Sequence, residues 1–116
     1  MSNAANIALT ALRAFDGKMS IIANNIVNAN TDGFKKSRAA MEEMAPSGVS
    51  ASSARVNTPG DIVNIDGVTQ GEREPSNVNL EEEIIALMTN QNHYEANLKT
   101  VKATEELQGM LFDILA

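Results

Sequence analysis

Residues 5–29 read ANIALTALRAFDGKMSIIANNIVNA. Within them Ala5, Ala8, Leu12, Phe15, Met19, Ile22, Ile26 and Ala29 follow one another at alternating steps of three and four, the heptad spacing that keeps a narrow apolar stripe on one side of a helix. Gly17 interrupts the stretch at a cost of about 1 kcal/mol relative to Ala. The asparagine run Asn24, Asn25, Asn28 and Asn30, with Gly33 beyond it, reads as the helix end, since Asn and Gly favour caps and turns. A helix over 4–29 is predicted.

Outward from that stripe, the last third of the chain carries a second one. Pro75 and then Asn79 mark its start: the Asn79 side chain is an N-cap acceptor for the backbone N–H of Glu82, and Glu81, Glu82 and Glu83 lie at the positive end of the helix dipole. Leu80, Ile84, Leu87, Gln91, Tyr94, Leu98 and Val101 repeat the four-three spacing, with Gln91 a polar intrusion, before the stripe moves by one residue onto Thr104, Leu107, Leu111 and Ile114. This predicts a helix over 79–115, about 50 Å long. Its last turns carry Leu107, Met110, Leu111, Phe112, Ile114 and Leu115 at several angles around the axis. One partner helix cannot cover all of them, which predicts burial by more than one neighbour and a homo-oligomer in isolation.

Residues 30–78 are different material. Phe34 to Met44 reads equally as helix or extended chain, and Met44 to Gly60 is rich in Ser, Gly and Ala with two prolines, the composition of a loop or a weak strand. Ile62, Val63, Ile65 and Val68 around Asp66-Gly67 predict a short hairpin, Asp-Gly being a favoured type I′ turn. The expected fold is a single mainly α domain over 1–116: two long antiparallel, coiled-coil-like helices with a small extended or β-hairpin element between them.

Composition narrows the function. The chain has 116 residues, no Cys, one His and a net charge of −6. A domain of this size buries only about two-thirds of the surface its unfolded form exposes, so its stability margin is thin. No thiolate or imidazole set for zinc is present, nor a disulfide or Cys nucleophile. The acidic balance argues against a nucleic-acid partner; no apolar run approaches the ~20 residues of a membrane span, and the first ten residues do not read as a signal peptide. Of the net charge of −6, −5 falls on residues 79–116. No paired carboxylates, nucleophile-base set or phosphate-binding glycine loop appears, so neither an enzyme nor a cofactor is expected.

At Ile22 to Phe34 the chain reads IANNIVNANTDGF, followed by Lys35-Lys36-Ser37-Arg38. This resembles the N-terminal motif of the bacterial flagellar rod and hook proteins, a helix ending in A-N-N-I-A-N-x-N-T-x-G-[FY]. Val27 stands where that family usually has Ala, while Asn24, Asn25, Asn28, Asn30, Thr31, Gly33 and Phe34 hold the motif positions. SNVNLEEE at 76–83 and QNHYEAN at 91–97 are similar to the family's C-terminal S-N-V-[DN]-x-x-x-E and Q-x-x-Y-E-A-N segments. The resemblance covers about residues 5–38 and 76–115, and the short middle is closest in organisation to the small proximal rod subunits.

The resemblance implies a structural subunit that is exported unfolded through the flagellar type III export apparatus, without a cleaved signal peptide. It would polymerise with itself and other rod subunits through its terminal helices, in the periplasmic rod of the basal body. In similar proteins a Phe followed four residues later by an apolar residue acts in export; Phe15-Asp16-Gly17-Lys18-Met19 has that spacing, and both of its ends are also stripe residues. The assembly face implied is Leu12, Phe15, Met19, Ile22 and Ile26 with Ile84, Leu87, Tyr94, Leu98, Val101, Leu107, Leu111 and Ile114. The asparagines fix the chain's exit, Gly33 supplies a turn with positive φ, and Phe34 anchors the exiting chain. A truncated hook-type axial protein and a cytoplasmic helical adaptor are the alternatives.

Overall fold

The computed structural model describes residues 3–60, 63–64 and 72–115. Two helices dominate, α1 (Asn3–Val27) and α2 (Leu80–Leu115). They run antiparallel: the Asn90 side-chain amide donates to the Phe15 carbonyl at 2.9 Å, while Ile22 and Asn25 share a hollow with Glu82, Glu83 and Ala86. α1 stops at Val27, two residues before the predicted end, because the chain turns as the stripe runs out: Asn28 N–H reaches Asn25 C=O at 3.2 Å and Thr31 N–H reaches Asn28 C=O at 3.1 Å. α2 begins as the cap predicts, with Asn79 Oδ1 accepting from the N–H of Glu81 at 3.1 Å and of Glu82 at 3.4 Å.

Between the helices lie two antiparallel hairpins. β1 (Ser37–Glu43) pairs with β2 (Val49–Arg55), Ser37 opposite Arg55 and Glu43 opposite Val49. β3 (Val63–Asn64) pairs with β4 (Glu72–Arg73). The larger hairpin therefore resolves the stretches that composition reads as helix or extended chain and as a loop or weak strand, in favour of strand in both. Its strands are built from Ser and Ala, yet Ser37, Ala39 and Met41 turn inward while Arg38, Ala40 and Glu42 stay exposed, the period of two that a half-covered strand requires. Of the hairpin expected around Asp66-Gly67, Val63 lies in β3, paired with β4; Ile62, Ile65, Val68 and the turn itself lie outside the described residues.

α1 is the middle layer. One of its faces takes α2; the opposite face, Thr10, Ala14 and Gly17, meets Val49, Ser50 and Ala51 of the larger hairpin. Small residues set this spacing: Ala5, Ala8, Ala11 and Ala14 are all buried. The Thr10 hydroxyl accepts from Val49 N–H at 3.1 Å. Gly48 closes the β1–β2 turn at φ 113°, and a Cβ there would stand 2.8 Å from Thr10 Oγ1. Gly48→Ala is expected to lower the unfolding free energy by about 1–3 kcal/mol, read as a reduced urea midpoint. The molecule is elongated, 80 × 25 × 13 Å.

Candidate assembly surface

The chain leaves α1 through a clamp of asparagine side chains. Asn25, 1% exposed, donates through Nδ2 to Ser37 C=O at 2.7 Å and accepts through Oδ1 from Ser37 N–H at 3.0 Å, fixing the start of β1 on the helix. From the other side, Asn77 Oδ1 accepts from Lys36 N–H at 2.7 Å, and its Nδ2 donates to the carbonyls of Val56 and Thr58, each at 2.9 Å. Asn24 and Asn28 act locally: the Asn28 amide donates to the Asn24 carbonyl at 2.9 Å, and Thr31 Oγ1 donates to Asn28 Oδ1 at 3.1 Å. Asn30 is exposed. Gly33 has the positive φ expected of it, 71°, and its N–H reaches Glu74 C=O at 2.8 Å. Phe34 is half-buried, and its carbonyl accepts from Asn77 N–H at 3.2 Å. The sequence motif marks Asn25 but not its distant partner, and nothing in the first motif points to Asn77.

Ion pairs close the same end. Arg73 Nε donates to Asp32 Oδ1 at 2.7 Å, and the Lys35 ammonium pairs with the Glu74 carboxylate. The hydrogen bond and charge of Lys35 hold the Glu74 carboxyl below its ordinary value. A lowered folded-state pKa gives stability that is present above the unfolded value and lost as pH falls through the folded one. Glu74→Gln is accordingly expected to flatten the acid side of the stability-pH curve, read by thermal melts between neutral and acid pH.

On α1 the stripe reads as expected: Leu12 and Ile22 are buried, and Phe15, Met19 and Ile26 half-buried. On α2 the predicted stripe holds at Leu87, Tyr94, Val101 and Thr104 and shifts back by one residue at Ile84, Gln91 and Leu98. The covered positions are Glu83, Leu87, Asn90, Tyr94, Asn97, Val101, Thr104 and Gln108, again alternating four and three, while Ile84, Gln91, Leu98, Leu107, Leu111 and Ile114 are exposed. Gln91 is thus no intrusion; it lies off the covered line. His93 is exposed yet packs its ring on Phe15, centroids 5.4 Å apart. Phe15 and Met19 line a shallow groove with Gln91 and Tyr94.

Asn90 is the polar centre of this pairing. It is 1% exposed, one amide hydrogen is placed on Phe15 C=O, and among the described residues its Oδ1 has no hydrogen-bond partner. A buried amide half satisfied costs stability and restricts register. Asn90→Leu is expected to raise the unfolding free energy by about 1 kcal/mol, visible as a higher thermal midpoint.

The unpaired apolar surface lies on α2. Leu80, Ile84, Ile85 and Met88 are exposed near its start; Leu107, Met110, Leu111, Phe112, Ile114 and Leu115 are exposed at its end, Phe112 at 69% and Leu115 at 80%. A cluster of this kind marks an interaction surface. Among the described residues no helix is long and apolar enough to cross a membrane.

Two family models match the chain. Residues 4–35 match that of the flagella basal body rod protein, and residues 69–114 match that of the flagellar basal body rod FlgEFG protein C-terminal. The matched segments contain α1 from Ala4 onward with the turn after it, and α2 up to Ile114. No curated protein matches the chain.

Proposed function

The chain belongs to the flagellar basal-body rod protein family, and from that premise we propose that it is a structural subunit of the rod, exported through the flagellar type III apparatus and polymerised through its terminal helices. The observation that carries the reading is the end of α2, where six large apolar side chains stand exposed in the single chain. A subunit of a helical lattice needs such a surface, because neighbours complete its core. A thin stability margin suits passage through a narrow export channel, with ordering driven by assembly at the far end. Phe15 and Met19 serve the helix pair once folded and form the export segment while unfolded.

The segment between the helices supports a place among the small proximal subunits. Its described residues form two hairpins of seven-residue and two-residue strands, without the larger outer domain of the hook and distal rod. In this reading the subunit works in the periplasmic part of the basal body, carries no catalytic residues, and contacts itself and other rod subunits. Deleting its gene is expected to abolish swimming and leave basal bodies without a complete rod, scored by motility and by electron microscopy. Normal swimming and intact basal bodies in the deletion strain contradict the reading.

A further inference from the structure

α2 carries one apolar signature twice. Leu80, Ile84, Ile85 and Met88 recur 27 residues later as Leu107, Leu111, Phe112 and Leu115, and all of these side chains are exposed. On an α-helix that interval is about seven and a half turns and about 40 Å. The two sets therefore face opposite sides of the same rod, near its opposite ends. A two-fold contact sets a patch against itself, whereas two different patches half a turn apart are brought together by translation. Shifting one copy along the axis by that interval, and sideways by one helix diameter, sets Leu107 opposite Leu80, Leu111 opposite Ile84, Phe112 opposite Ile85 and Leu115 opposite Met88.

Among the described residues α1 leaves the end of α2 open to this neighbour. The register that joins Asn90 to Phe15 brings Asn3, the first residue of α1, level with Lys102. Beyond that point α2 has no α1 beside it. Leu111 and Leu115 continue the covered line Val101, Thr104, Gln108 by the same steps of three and four, so the covered face runs on past the end of the helix that covers it. Charge permits the contact as well. Asp113 is the one charged residue from Leu107 to Leu115 and would lie level with Ala86, while Glu81, Glu82 and Glu83 would lie level with Gln108, Gly109 and Met110.

We propose that the last turns of α2 dock on the Leu80, Ile84, Ile85, Met88 face of a second copy, parallel and head to tail, in a contact that repeats instead of closing. The proposal rests on the rod reading above and assigns the partner of the exposed α2 end. The chain has no Cys, so disulfide trapping in the full chain reads the contact directly. Ile84→Cys and Leu111→Cys, each oxidised alone, are expected to stay monomeric; mixed, they form a covalent dimer. The double variant forms a ladder whose rungs step by one 12.4 kDa chain. Met88→Cys with Leu115→Cys repeats the trial one turn further on, and circular dichroism verifies helicity in every variant. Self-linked dimers of Leu111→Cys, or a mixture that remains monomeric with helicity intact, overturn the proposal. Tagged chain found in purified basal bodies without the 84–111 link removes the head-to-tail contact and leaves the rod reading standing. The ladder from a chain absent from basal bodies keeps the contact and removes the rod reading.

Discussion

Replacing Leu111 and Phe112 together by Glu is expected to abolish rod assembly while leaving the isolated chain as stable as its parent. Both side chains are more than half exposed in the single chain, so their loss removes little folding energy, within about 0.5 kcal/mol each way. In the assembled state each would be buried, which is worth about 1.5–3 kcal/mol per side chain. Losing both therefore lowers the association constant by roughly two to four orders of magnitude, before counting the cost of burying carboxylates. The expected result is an unchanged melting curve with a non-motile cell. Parent-like motility would show that the α2 end is not a packing surface, and a collapsed melting curve would show that it belongs to the folding core.

Asn25→Ala is expected to have the opposite profile, a large loss of stability in the isolated chain. The side chain satisfies both the N–H and the C=O of Ser37 from a position almost without solvent. Removing it leaves two partly buried backbone groups without those partners, at about 1–3 kcal/mol each. Against a total of about 5–15 kcal/mol for a typical domain this is a large fraction, and the thermal midpoint should fall by about 10 °C or more. Asn24→Ala supplies the contrast. Asn24 is exposed, and its side chain accepts from the Asn28 amide of the next turn at 3.3 Å, so its replacement should move the midpoint by a few degrees at most. Equal effects at the two positions would mean that the clamp does not secure the hairpin.

The helices were legible because heptad spacing is a long signal, and α1 kept its stripe almost residue for residue. On α2 half of the stripe holds: Leu87, Tyr94 and Val101 are covered, while Ile84, Gln91 and Leu98 give way to the preceding Glu83, Asn90 and Asn97. Those three are polar residues facing an alanine-rich helix, and apolar periodicity carries no signal for them. The larger hairpin is only weakly legible, as extended chain or a weak strand, because Ser and Ala carry neither the β-branched bulk nor the strong alternation that announces a strand. It is held less by its own propensity than by Asn25, Asn77 and Thr10, whose bonds reach across long stretches of sequence. Gly33 and the Asn79 cap were readable since their chemistry is local.

The most direct measurement is photocrosslinking from position 112 in living cells. A photoreactive amino acid placed there, followed by purification of basal bodies, reports both where the chain resides and whether the end of α2 is covered. Covalent adducts with rod subunits, copies of this chain among them, are expected in the basal-body fraction. A chain that stays in the cytoplasm, or one that enters basal bodies with position 112 unlinked to any subunit, would contradict that expectation.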